Sequence, residues 1–135
     1  MNPNHAGFLS EMSGALVLLG RFEEAARQLE QAKQINLQHP EWFHANLGWA
    51  YYHLGRLENA VDALNLMNAP PGVLRIFLAA SYAKLGQTAE AGQELAEILR
   101  LEPDFNLGKL AFLPYRNETD RAQPAADLRA AGVPE

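Results

Sequence analysis

The sequence predicts an all-α protein built from three antiparallel helix pairs in line, closed by C-terminal capping helices. Two observations carry this. In the stretch 41–64, EWFHANLGWAYYHLGRLENAVDAL, the apolar residues recur at helical rather than alternating spacing. A Leu-Gly punctuation then appears three times, with glycines at 20, 55 and 86, separations of 35 and 31. The composition agrees. The chain of 135 residues is 48% hydrophobic and rich in alanine and leucine, which suits one helical domain.

The middle stretch sets the pattern. Trp42, Ala45, Trp49 and Tyr52 form one apolar stripe, and Leu47, Ala50, Tyr51 and Leu54 a second. Two stripes imply a helix buried on more than one side. Gly48 lies within it, where glycine costs about 1 kcal/mol relative to alanine. Close approach of a neighbouring helix is the expected reason. Gly55 is suited to a left-handed helix cap. Leu57, Ala60, Val61, Leu64 and Met67 then give a second amphipathic helix, with Ala60 small at the crossing.

Earlier, Leu19-Gly20-Arg21 separates helices expected at 6–19 and 22–35. Glu23 and Glu24 occupy the first turn of the second, where the helix dipole favours them. The middle pair is expected at 41–54 and 57–68, ended by Ala69-Pro70-Pro71-Gly72. The third pair is expected at 73–85 and 88–101, with Thr88 as its cap and Ala91 where a capping box would carry glutamate. A short helix at 105–113, capped by Asp104, and a last one from Asn117 to about Ala131 follow. Pro124 is expected to kink the last helix or delay its start to Gln123.

Pairs of helices at a period in the low thirties resemble tetratricopeptide repeats. The middle unit matches that pattern at Leu47, Gly48, Tyr51, Ala60 and Leu64, and the third at Leu78, Tyr82, Ala91, Leu95 and Pro103, with Ala79 where glycine is usual. The first keeps Ala25 and Leu29, with Met12, Ser13 and Leu16 in its first helix. Leu9, His44 and Arg75 replace the family's tryptophan. The resemblance implies a right-handed superhelix over 1–103, with repeats near 6–39, 41–71 and 72–105 and a capping segment over 104–135 in the same domain. In that register Pro3 is equivalent to Pro103, so the natural chain is expected to extend upstream. The plainer reading is that Asn2-Pro3 is a turn before a helix.

The closing segment also resembles the one that follows such repeats in bacterial class III adenylate/guanylate cyclases. The shared elements are Pro103-Asp104-Phe105, Pro114-Tyr115-Arg116, the turn 117–120, and Leu128-Arg129 before Ala131-Gly132-Val133-Pro134-Glu135. Pro124 departs from it, since leucine is usual there. The resemblance implies a non-catalytic piece of a larger bacterial regulatory protein.

Chemistry is sparse. The absence of cysteine excludes disulfides and thiolate catalysis. A net charge of −5 argues against a nucleic-acid surface. No apolar run reaches the roughly 20 residues of a membrane span, and no secretory signal is visible, so a cytoplasmic protein is the default. His5, His39, His44 and His53 lack the i, i+4 spacing of a helical metal pair. Ser10, Ser13 and Ser81 lack an adjacent base, and Asn117-Glu118-Thr119 reads as a helix start rather than a glycosylation acceptor. No enzyme, cofactor or metal site is expected.

A protein or peptide partner is expected. In these solenoids the first helix of each pair lines the concave face, which assigns a groove to Trp42, Asn46, Trp49, Tyr52, His53, Ile76 and Phe77, flanked by Ala45, Ser10, Val17, Leu18, Val73 and Ala80. The competing reading packs Trp42 and Trp49 between pairs or under the tail. The lysine and asparagine clamp of chaperone-tail adaptors is mostly missing: only Asn46 and Lys84 are candidates, and Gly14 stands where asparagine would. The alternative function is self-association, as a homodimer, through Phe8 and Met12, with Ala15 and Leu19 on the same face.

Overall fold

The computed structural model describes residues 3–35, 41–67 and 72–130. Seven α-helices appear among them: α1 (Pro3–Leu18), α2 (Phe22–Ile35), α3 (Glu41–Leu54), α4 (Leu57–Asn65), α5 (Gly72–Lys84), α6 (Thr88–Leu101) and α7 (Glu118–Ala130). A 3-10 segment, Leu107–Phe112, lies between α6 and α7. The described residues contain no strand.

The recurrent Leu-Gly punctuation works as a helix terminator. Gly20, Gly55 and Gly86 all have positive φ, 83°, 79° and 79°. In each, the glycine N–H and the following N–H reach back to successive carbonyls of the ending helix. Gly55 donates to Tyr52 at 3.1 Å and Arg56 to Tyr51 at 3.0 Å; Gly86 donates to Ala83 at 3.1 Å and Gln87 to Tyr82 at 2.9 Å. This double bond is the Schellman arrangement, open to a residue without Cβ.

Gly48 has the reason anticipated for it, close approach of a neighbouring helix. A Cβ there would lie 2.7 Å from Leu64 Cγ and 3.4 Å from the Ala60 carbonyl oxygen. So α3 and α4 cross backbone to backbone, with Ala60 and Leu64 buried at the crossing. In the third pair the buried Ala79 takes the equivalent place.

From α1 to α6 consecutive helices pack on one another, and α1, α3 and α5 also pack side by side. They form an inner face, while α2, α4 and α6 stand behind. Polar bonds join neighbouring pairs. Asn46 donates to Ser13 Oγ at 3.0 Å, Tyr51 donates to Glu30 at 2.9 Å, and Asn65 donates to the Tyr82 hydroxyl at 3.0 Å. In the third pair Arg75, at the family's tryptophan position, meets Glu94 of α6 at 3.0 Å, largely out of solvent. An ion pair here replaces an aromatic wedge.

Several local expectations need correction. Helix α1 begins at Pro3 rather than residue 6, because proline suits the first helical position, where its missing N–H leaves no bond unmade. Helix α4 ends at Asn65, not 68, and α5 starts at Gly72. Thr88 is the first residue of α6 and not its cap; Gln87 holds that place without a side-chain bond. Asp104 caps no helix either: Asn106 precedes the 3-10 segment, and its amide reaches back to the Asp104 carbonyl at 3.4 Å. Pro124 does not delay α7, which runs through it with the ring buried. Its missing N–H leaves the Asp120 carbonyl without its i+4 donor, a cost of about 3 kcal/mol in a helix interior. Burial of the ring and of Leu128 offsets that cost. The loop 36–40 with His39, the break at 68–71 and the end at 131–135 lie outside the described residues, as do the side chains of His5, Phe8, Ser10 and Val73.

Candidate functional site: the inner face and its occupant

The inner face assembles where α1, α3 and α5 meet. Helix α3 supplies Trp49, Tyr52 and His53, which rise from one side of it at i, i+3, i+4 spacing. Helix α5 supplies Phe77, whose ring centroid lies 6.0 Å from that of Trp49, 5.2 Å from Tyr52 and 5.9 Å from His53. From the start of α2, Phe22 stacks on His53 at 4.6 Å, nearly parallel.

The tail lies on this face. After the 3-10 segment the chain turns at Pro114 and inserts Tyr115, which is 2% exposed. Its hydroxyl accepts from Trp49 Nε1 at 2.6 Å and is 2.7 Å from His53 Nε2. Indole nitrogen can only donate, so the hydroxyl accepts from Trp49 and its own proton is available to an unprotonated His53 Nε2. Burial pushes the His53 pKa from 6.5 down to about 4; Asp120 opposes this and Lys84 assists it. Burial likewise pushes the Tyr115 and Tyr52 hydroxyls far up, so both keep their protons.

One residue further, Arg116 N–H donates to the Leu18 carbonyl at 2.8 Å, satisfying a free acceptor at the end of α1. Asn117 and Asp120 sit against Gly20, where a Cβ would meet Asn117 Nδ2 at 2.5 Å. The chain then returns as α7, which packs on α5 and on the 3-10 segment. Asp127, 9% exposed, accepts from the Tyr52 hydroxyl and from Gln123 at 2.9 Å, with the Lys84 ammonium 3.8 Å away. Arg121 ties the entry turn to α7 by donating to the carbonyls of Leu113 and Tyr115 at 3.1 and 2.7 Å.

The seven residues assigned to a groove therefore divide. Trp49, Tyr52, His53 and Phe77 converge beneath the tail, with Tyr52 and Phe77 at 2% and 1% exposure. Ile76, 6% exposed, turns toward a cleft of about 430 Å³ lined also by Ile98, Phe105 and Leu110. Trp42 is half-buried against the core, with its ring on Phe43, and Asn46 bonds Ser13. Of the residues proposed for self-association, Met12 is half-buried and packs against the core. The sequence reading missed Tyr115 and Asp127 as elements of the site. The signal was present in Tyr115, a large amphipathic residue in a Pro-Tyr-Arg turn. Nothing local distinguishes Asp127 from a solvated acid.

No group of three or more His, Asp or Glu among the described residues is placed to hold a metal ion. No described helix is long and apolar enough to cross a membrane.

Paired helices, left-handed glycine turns and side-by-side first helices define a helical-repeat solenoid. The family model for the tetratricopeptide repeat matches three stretches, residues 6–31, 42–65 and 72–97, together more than half of the chain. The chain belongs to the tetratricopeptide repeat family, whose repeats generally mediate protein–protein interaction. No curated protein and no solved structure gives a match.

Proposed function

We propose that this chain is a non-catalytic protein-interaction scaffold that works through its inner face. The observation that carries the proposal is the grip of that face on a peptide segment, the protein's own tail. Trp49, His53 and Tyr52 hold it by directed hydrogen bonds inside an aromatic bed. Aromatic side chains with a polar atom are the kind enriched at interface hot spots. The resemblance of the closing segment to the cyclase C-terminal region supports a finer reading, a regulatory module of a larger bacterial signalling protein in the cytoplasm.

The test places a photo-crosslinking benzoylphenylalanine at Trp42, on the rim of the inner face, and separately at Glu58, exposed on α4. In source cells, a partner protein should crosslink at position 42 and not at 58, and Trp49→Ala should remove it while the far-UV circular dichroism stays helical. Equal yields at both positions, or none at 42, would exclude the inner face as the working surface.

A further inference from the structure

The tail is bound more like a ligand than like a cap. A cap has to cover only the last helix pair. This segment reaches all three pairs: Arg116 on α1, Tyr115 on α3, and α7 on α5. A cap also needs only apolar contact, whereas here two polar side chains, Tyr115 and Asp127, are taken out of water. Burying them is unfavourable unless partners wait for them. The partners do wait: the Trp49 N–H, the His53 ring nitrogen, the Tyr52 hydroxyl and the Lys84 ammonium.

The occupant, by contrast, is poorly built to stand alone. Helix α7 has a proline in its interior, and its buried residues are Pro124, Asp127 and Leu128. Its first turn is bonded to the Tyr115 turn through Arg121, so helix and turn come away together. The bed left behind still contains packed α1, α3 and α5.

We propose that the tail is a displaceable intramolecular ligand. The partner that replaces it is a peptide segment with an aromatic hydroxyl in a non-helical turn and, about twelve residues on in a following helix, a carboxylate. The proposal rests on the interaction-scaffold reading and adds the partner's chemistry. The aromatic hydroxyl satisfies Trp49 and His53 together, which a phenylalanine cannot. The carboxylate meets Lys84, the cation near Tyr52 at the far end of the same face.

The experiment uses the full chain and, as probe, a fluorescein-labelled synthetic peptide of residues 113–130, read by anisotropy. The chain carrying Tyr115→Ala and Asp127→Ala should bind this peptide at least tenfold more tightly than the unsubstituted chain does, because its own tail no longer competes. A peptide with alanine at the same two positions should bind neither. If the folded double variant binds both peptides equally, or neither, the proposal falls; the scaffold reading would survive if the position-42 crosslink is still found. Should the double variant not fold, hydrogen exchange on the unsubstituted chain decides. Amides of 118–130 exchanging together, ahead of α3 and α5, support a releasable tail; exchange only with global unfolding overturns it.

Discussion

At the scale of single residues, His53 shows how a position is defined by what surrounds it. It sits at the end of α3, where a histidine commonly faces water, yet Phe22, Tyr52, Phe77 and Tyr115 enclose its ring. The charged groups bearing on it are Lys84 from α5 and Asp120 from α7. Its pKa is held down near 4 when folded and returns to about 6.5 when unfolded. The unfolded chain therefore takes up a proton first as pH falls. The stabilisation is complete above 6.5, declines between 6.5 and 4, and is gone below. The linkage amounts to about 3 kcal/mol. Urea unfolding at pH 7.5 and 4.5 should show most of this loss, and His53→Gln should remove that part of the slope that carboxylates do not share. An unchanged slope would mean that the imidazole is solvated.

At the scale of elements, the α3–α4 crossing sets the packing distance within the middle pair. Gly48→Ala should gain helix propensity of about 1 kcal/mol and lose more to the 2.7 Å approach on the buried Leu64. The expected net loss is about 1–2 kcal/mol, the range for overpacking a tight core. In a Leu64→Ala background the same change should cost nothing, because its obstacle is gone. A double-mutant cycle in urea measures the coupling, and additive effects would refute the close crossing. Most of this scale is legible in the sequence. The bounds of α2, α3 and α6 follow from apolar spacing and glycine punctuation. Caps are less legible. Thr88 and Asp104 have capping side chains, but the backbone enters each helix one or more residues away from where composition suggests. Cap geometry depends on how the preceding turn is held, which residue type alone does not specify.

At the scale of the whole molecule, the question is what the tail touches. Gly20 and Gly86 end equivalent helices with nearly the same φ, yet of the two only Gly20 lies beneath the tail. A Cβ added at Gly86 would meet nothing within 4 Å. Gly86→Ala should therefore lose only the conformational term, about 1 kcal/mol. Gly20→Ala should lose clearly more, and its excess should shrink when Asn117→Gly removes the nearer of the two obstructing side chains, leaving Asp120. Equal losses at the two positions, by urea denaturation, would show that the tail does not rest on the first pair.

The repeats were determined by the sequence itself, because helix periodicity and a left-handed glycine turn are local properties that recur whatever lies beyond them. So was the small-residue crossing at Gly48 and Ala60. The tertiary structure alone decided the fate of the aromatic face. Trp49 and His53 find their partner at Tyr115, 66 and 62 residues along the chain, and Tyr52 finds Asp127, 75 residues away. Whether an aromatic stripe is an open groove or a filled one depends on such distant pairings. No local pattern encodes them, because a partner's identity matters only once the fold has brought it within reach.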